Sequence, residues 1–349
     1  MRVIASLPVD DWRAVPAAAQ AAETMGYDGV QTSELAHDLF APLAIAALQT
    51  SRVELATGIA VAFPRSPMVV ANIAWDMQAN SGGRFHLGLG TQVKGHNERR
   101  FSVPWVGSPV TRMREYVEAL RAIWRCWERG AALDYEGEHY RFTLMTPEFS
   151  PQPTGLPMVP VSVAAVGPDM LRMAGRICDG VRLHGFCTRR YIENVALKRI
   201  EEGLETGGRT REQVEISGGG FIATGPDDAA VAKMMDWVRY RVAFYGSTRT
   251  YWPVFEQHDL VDLGARLHAM SKAGQWNQMA AEVSDDVVRL FAAVGRHDEI
   301  VAAIEARFGG LVDALRVNFP EPGEGGLMRE LIEDIRRIPT PFTGFRTAA

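Results

Sequence analysis

The chain has 349 residues, 47% of them hydrophobic and 23% charged, enough apolar material for a sizeable core in one large domain or two ordinary ones. Its formal charge of −5 provides no general attraction for nucleic acid or an anionic membrane surface. No apolar run approaches the roughly 20 residues a membrane helix needs, and the N-terminus is too short for a signal-peptide core. A cytoplasmic protein is therefore expected, with neither nucleic acid nor membrane as partner. Cys126, Cys178 and Cys187 form no Cys-x-x-Cys pair and the eight histidines show no ligand spacing, so no metal site is expected.

In chain order, residues 2–7 read as a first strand and 14–25 as a helix with Ala18, Ala21, Ala22 and Met25 on one face, closed by Gly26. Strand two is 29–32, helix two 42–49, strand three 53–61 and helix three 68–79, which Gly82 and Gly83 suit as a C-cap. Strand four, 85–89, opens at Gly88 and Gly90 into a long connection, 91–110, that carries Lys94, His96, Arg99, Arg100 and Trp105. A helix over 111–128, a small excursion over 134–142 and a proline-rich stretch over 146–160 follow; the last reads as a rigid loop entering strand five rather than a linker. Strand five leads into Val166-Gly167-Pro168, strand six is 180–183, a helix covers 189–205 and strand seven is 214–223. Pro226-Asp227-Asp228 starts a helix, and 245–294 is a helical, aromatic insertion before the helix 298–308 and the eighth strand 314–318.

Eight strands interleaved with helices predict an α/β fold, a (β/α)8 TIM barrel over residues 1–320 with a C-terminal helix and tail over 321–349, not two domains divided near Pro153. Ligands of such barrels lie at the carboxyl ends of the strands, where Glu34, Gly58-Ile59, Thr91, Val166-Gly167-Pro168 and His184 all fall. Each has an ordinary alternative. Gly58 inside a strand marks a bulge or a packing glycine. Amides at the helix start after Val166-Gly167 can bind phosphate, or Pro168 simply initiates the helix. Glu34 and His37 are titratable, or serve as a cap and a surface residue. His184 touches ligand or is structural, and Trp75, Trp105 and Trp252 line a substrate or pack the core.

The run Ser81-Gly82-Gly83-Arg84-Phe85-His86-Leu87-Gly88-Leu89-Gly90-Thr91 resembles the signature of the luciferase-like flavin- and deazaflavin-dependent oxidoreductases. Leu55-Ala56-Thr57-Gly58-Ile59-Ala60-Val61 is similar to that family's third strand, Val159 to Pro168 to its fifth strand and phosphate loop, and Ala174-Gly175-Arg176-Ile177-Cys178-Asp179-Gly180 follows in the family's order. The resemblance covers most of residues 1–204 and continues more weakly to 320. It implies a non-prolyl cis peptide at Gly58-Ile59 supporting the cofactor's central ring, and a cofactor tail held by Thr91, Val166, Gly167 and Pro168. It also implies an acidic residue and a histidine beside the reacting ring, and possession of a homodimeric form. Where a glucose-6-phosphate dehydrogenase of the family has Asp-His, this chain has Glu34-Leu35 with His37 later, which argues against that substrate. Glu34 or His37 then exchanges the proton at N1 of the reduced ring, Glu34 being preferred.

The implied activity is hydride transfer between C5 of coenzyme F420 and an organic substrate. An FMN-dependent monooxygenase and a non-catalytic cofactor-binding barrel are the alternatives, and Thr91-Gln92-Val93-Lys94-Gly95-His96 stands closer to the deazaflavin branch. A Rossmann nicotinamide enzyme is disfavoured, because Gly88-Leu89-Gly90-Thr91-Gln92-Val93 lacks the third glycine.

Overall fold

Short apolar runs separated by amphipathic helices become a parallel barrel in the computed structural model, which describes residues 1–317 and 325–345. The strands are β1 (Arg2–Ser6), β2 (Gly29–Thr32), β3 (Glu54–Thr57), β4 (Ala60–Val61), β5 (Phe85–Gly90), β6 (Tyr135–Glu136), β7 (Arg141–Phe142), β8 (Val161–Ala165), β9 (Gly180–Leu183), β10 (Glu215–Gly218), β11 (Phe221–Gly225), β12 (Ala292–Arg296) and β13 (Ala314–Arg316). The main sheet runs β3-β2-β1-β13-β10-β9-β8-β5-β4, and a further β3–β5 pairing closes it into a barrel of eight strand positions, β3 and β4 being two pieces of one. Strands before and after Pro153 pair in this one sheet, with Leu87 opposite Val161 and Leu89 opposite Val163. β6 and β7 form a small antiparallel hairpin in the expected excursion. No helix among the described residues is long and apolar enough to cross a membrane.

The chain packs as two compact units. The first comprises Ile4–Val181, Ile200–Glu215 and the segment from Phe342. Every residue of β5 is buried, as a strand covered on both faces requires. The helix Pro109–Arg129 starts at Ser108, whose hydroxyl accepts from the Thr111 amide, ends at Gly130 in the left-handed region (φ 65°), and buries Tyr116, Leu120, Trp124 and Trp127. Trp75 packs edge-on against Trp127 at 5.5 Å, so it belongs to the core. Gly82 and Gly83 take φ of 65° and 88° after the helix Pro67–Asn80, which turns the chain into β5.

Arg84 works at the amino end of this sheet. Its guanidinium donates to the carbonyls of Ser81 (2.7 Å), Val53 (2.7 Å), Thr50 (2.9 Å) and Ala47 (3.1 Å) and to the Thr50 hydroxyl (3.1 Å). One side chain thereby ties the end of the helix Phe40–Gln49 to the starts of β3 and β5.

The second unit comprises Met1–Val3, Arg182–Arg199 and Ile216–Pro341. The strand expected over 214–223 is broken at Gly218 and Gly219, whose φ values are 83° and 88°: β10 stays in the barrel, while β11 leaves it to pair in parallel with β12. The helix expected from Pro226-Asp227-Asp228 runs over Asp228–Gly246; the insertion expected over 245–294 is helical through Trp252–Glu256, Val261–Lys272 and Asp285–Phe291, but its last residues, from Ala292, belong to β12. The helix Gly325–Arg337 stands where a C-terminal helix is expected; Asn318 of the eighth strand, the boundary at 320 and residues 346–349 lie outside the described residues.

Within the first unit the helices Pro168–Ile177 and Leu197–Thr206 cross backbone to backbone at Gly203. A Cβ there would meet the Arg172 carbonyl oxygen and lie 2.9 Å from the Arg176 nitrogen. Gly203→Ala is therefore expected to lower stability by about 1–3 kcal/mol through overpacking, although alanine is the better helix former. Urea unfolding checks this, and an unchanged or raised midpoint would show that the crossing can relax.

Candidate active site

In the first unit the third barrel strand stops at Thr57 and resumes at Ala60, and the intervening Gly58-Ile59 peptide is cis. Residues at the carboxyl ends of β2 and β5 complete the hydrogen bonding around this break. The Gly58 amide donates to the Thr32 carbonyl (2.7 Å), and the Ser33 hydroxyl donates to the Gly58 carbonyl (2.8 Å). The Thr57 hydroxyl donates to the Gly88 carbonyl (2.8 Å) and accepts from the Gly88 amide (2.7 Å). A side chain at Gly58 would require the Gln31 carboxamide to move, since a Cβ would lie 2.8 Å from it. Ile59 in turn occupies the space that a side chain at Gly90 would need, with its Cγ1 2.9 Å from that position.

Glu34 is largely buried and fully engaged. Oε2 accepts from the Val61 amide (2.7 Å) and from Arg65 Nη1 (2.9 Å), while Oε1 accepts from Arg65 Nη2 (2.9 Å). Arg65 also donates to the Val61 carbonyl (3.0 Å), so the pair clamps β4 from both sides. Sequence reasoning missed Arg65, since no periodicity marks a lone arginine in the turn after β4. His37 is exposed, whereas Asp38 caps the helix Phe40–Gln49 by accepting from the amides of Phe40 (2.9 Å) and Ala41 (3.1 Å).

Thr91 follows β5 half-buried, and its carbonyl accepts from Nδ2 of the fully buried Asn97 (2.9 Å), which also bonds the Val93 carbonyl (3.2 Å). Asn97 is a second residue the sequence reading passed over; it fixes the loop that carries Thr91. Lys94, His96, Arg99 and Arg100 are exposed around the helix Lys94–Arg99, as a solvated charged run would be. Gly167 precedes the helix Pro168–Ile177 with open space about its Cβ position, and it and Pro168 are exposed while Val166 is half-buried.

In the second unit, His184 follows β9 inside an aromatic cluster, 4.5 Å from Tyr245 and 4.8 Å from Tyr251 between ring centres. Its Nδ1 accepts from the Phe186 amide (2.9 Å) and its Nε2 lies 3.5 Å from the Tyr251 hydroxyl. Burial pushes its pKa down to about 4, so the neutral ring with hydrogen on Nε2 is the state these contacts hold at neutral pH. Trp252 is a packing residue, its indole donating to the Gly246 carbonyl (2.9 Å). Trp105 packs on Phe63 at 5.9 Å in the first unit.

With this geometry in hand, residues 2–314 match the luciferase-like monooxygenase family. The chain belongs to that family. It is 44% identical to an uncharacterized protein of Mycobacterium tuberculosis over 337 residues, covering 97% of this chain and 98% of the other. It is 28% identical to the 5,10-methylenetetrahydromethanopterin reductase of Archaeoglobus fulgidus over 292 residues, 81% of this chain and 82% of the relative. In fold it is similar to the coenzyme F420-dependent tetrahydromethanopterin reductase of Methanopyrus kandleri, with TM-score 0.75, 21% identity and coverage of 97% of each chain. It is also similar to a type II Baeyer-Villiger monooxygenase from Pseudomonas putida in complex with FMN, with TM-score 0.60, 17% identity and coverage of 99% of each chain. Family membership makes the protein an enzyme of the oxidoreductase class whose relatives include F420- and FMN-dependent members.

Two outcomes follow from the local chemistry. Glu34→Gln leaves Arg65 with only the more distant, exposed Asp38 carboxylate at 3.6 Å and is expected to cost about 1–3 kcal/mol, measurable by urea unfolding; no change would mean that the clamp does not hold β4. For His184, the unfolded chain takes up its proton near 6.5 and the folded one only near 4. The stability due to the neutral ring is therefore complete above 6.5 and is lost as pH falls towards 4. An NMR titration of the ring checks this, and protonation near 6.5 in the folded protein would contradict it.

Proposed function

We propose that the protein is an F420-dependent oxidoreductase acting on an organic substrate. The observation that carries this reading is the half-buried Thr91, set directly after the Gly90 backbone that Ile59 covers, in a chain matching the family over residues 2–314. The Thr91 hydroxyl makes no hydrogen bond among the described residues, and the space around Gly167 leaves the first turn of the following helix accessible. These donors fit an anionic, polyol-bearing cofactor tail. F420 is preferred to FMN because of the 28% identity with a methanopterin reductase and because Thr91 to His96 resembles the deazaflavin branch.

When bound, F420 would supply hydride transfer at C5. In this reading Thr91 and the amides after Val166-Gly167 bind the tail; Pro168, with no N–H, adds only the preset backbone angle. Asp169 is the one carboxylate of that first turn, and its pairing with Arg172 at 3.2 Å offsets its charge. Glu34, with both oxygens committed to Arg65 and Val61, positions Arg65 and β4 rather than moving a proton. The exposed His37 is the group free to exchange the proton at N1.

Equilibrium binding of F420, FMN and NADPH to the purified protein tests the cofactor. F420 should bind tightest, and Gly167→Asp should weaken it at least about tenfold by setting a carboxylate against phosphate. Preferential tight binding of FMN would overturn the assignment. At saturating F420, His37→Ala should slow single-turnover hydride transfer about 100-fold, while Glu34→Gln should act mainly on cofactor affinity and stability. The reverse pattern would return the acid–base role to Glu34.

A further inference from the structure

In the second unit an unbroken path of rings leads from the surface to the buried side chain of Phe186. It starts on the helix Asp228–Gly246, where Tyr240 and Phe244, one turn apart, stand 45% and 40% exposed with their rings nearly parallel at 6.3 Å. Phe244 meets Trp276 at 6.0 Å and Tyr245 at 5.3 Å, and Tyr245 in turn meets His184 at 4.5 Å and Tyr251 at 5.7 Å. Phe186 closes the path, 5.6 Å from Tyr251 and packed on Phe291 at 4.5 Å. Single exposed rings are ordinary, but rings in mutual contact that lead inward make a surface for a flat apolar molecule. Trp237, one turn before Tyr240, is occupied otherwise. The Arg241 guanidinium lies 5.1 Å from its ring centre, with Nε buried and without a hydrogen-bond partner, whereas the nearby Arg239 pairs with Asp285 at 2.5 Å.

The inner end of the path carries the polar groups. Because the Phe186 amide donates to His184 Nδ1, the hydrogen of the neutral imidazole sits on Nε2, 3.5 Å from the Tyr251 hydroxyl oxygen. That oxygen accepts from the imidazole, so the phenolic hydrogen turns away from it. Among the described residues this hydrogen has no acceptor, and the Tyr245 hydroxyl beside it makes no hydrogen bond. Burial pushes the pKa of Tyr251 up to about 12 and that of His184 down to about 4, so neither is charged at neutral pH. A neutral donor among rings suits a neutral acceptor such as a carbonyl oxygen, which gives up less hydration than a carboxylate does. A mostly apolar wall with one or two fixed polar groups is the usual composition of a site for a small organic ligand.

We propose that the Tyr251 hydroxyl, positioned by His184, donates a hydrogen bond to a neutral carbonyl oxygen of the substrate, whose flat body lies along the rings of Tyr245, Phe244 and Tyr240. The substrate class is thus an uncharged aromatic or conjugated carbonyl compound. This rests on the reading of the protein as an oxidoreductase of an organic substrate.

Ligand-observed NMR titration of the purified protein with 2-acetylnaphthalene, with 2-ethylnaphthalene, which has the same shape without the oxygen, and with 2-naphthoate tests it. The ketone should bind about tenfold more tightly than the hydrocarbon and more tightly than the carboxylate. Tyr251→Phe keeps the ring, so it should remove most of the preference for the ketone and leave the affinity for the hydrocarbon unchanged. Phe244→Ala should weaken both neutral probes alike. His184→Phe should also lose the preference, while His184→Gln, which keeps an N–H donor, should retain part of it. Equal binding of ketone and hydrocarbon, an undiminished preference in Tyr251→Phe, or tighter binding of 2-naphthoate overturns the proposal, and an undiminished preference in His184→Phe overturns the positioning role. Absence of binding by all three probes together with self-association that Phe244→Ala abolishes would make the aromatic face a protein interface and overturn it too. F420 affinity should be unchanged in Tyr251→Phe; a matching loss there would assign the hydroxyl to the cofactor instead of the substrate. If the wild-type protein binds no F420 yet keeps the ketone preference, the cofactor reading fails and the carbonyl site stands.

Discussion

A barrel strand that leaves its ladder releases backbone donors and acceptors, and in a buried sheet each must find another partner. The third strand does this between Thr57 and Ala60, and every replacement comes from the carboxyl ends of its neighbours. Thr57 exchanges hydroxyl bonds with both backbone groups of Gly88, Ser33 takes the Gly58 carbonyl, and Glu34 takes the Val61 amide. The break is therefore not a local loosening. It requires a hydroxyl at Ser33, a carboxylate at Glu34 and bare backbone at Gly90 for Ile59 to cover, and these residues lie at the strand ends where barrel enzymes place their chemistry.

That requirement changes how Glu34 is understood. An acidic residue just past a strand is a natural acid–base candidate when only its position is known. Its oxygens, however, accept from Arg65 twice and from Val61 once, so both are already committed to holding these groups. The same carboxylate then acts through geometry, holding β4 in position after the break, and Arg65 is its necessary complement rather than an independent surface charge. The likeness of the chain to its family is also uneven in what it means. Arg84, the charged residue of the Ser-Gly-Gly-Arg signature, spends its donors on carbonyls at the amino end of the sheet, so that part of the signature records how the strands are tied and not how a ligand is bound.

The parallel barrel and the break at Gly58 were legible in the sequence because each is written in a short window: apolar runs of strand length between helical patterns, and a glycine inside an otherwise regular strand. The positions of Thr91 and Gly167 after their strands were legible for the same reason. Arg65, Asn97 and Arg241 were not, because each acquires its meaning from partners or from the lack of them, and neither is a local property. Glu34 and Arg65 are 31 residues apart. Arg241 looks like any helix arginine until the paired Arg239 is set beside it. The division of strand seven was hidden differently: an apolar run interrupted only by glycines reads as one strand, whereas left-handed Gly218 and Gly219 send its two halves to different sheets.

The second unit handles charge in a way that follows from its aromatic content. Rings around His184 remove water without supplying an anion, which favours the neutral imidazole, and they leave its two nitrogens differentiated by one accepted amide bond and one tyrosine hydroxyl. An imidazole can answer such surroundings by releasing its proton. A guanidinium cannot, because its proton affinity is too high for deprotonation to relieve the cost. Arg241, half-buried with no ion pair among the described residues, therefore stays charged. Arg241 draws part of its compensation from the face of Trp237, but a ring quadrupole is a weak substitute for a carboxylate and leaves the buried Nε unbonded.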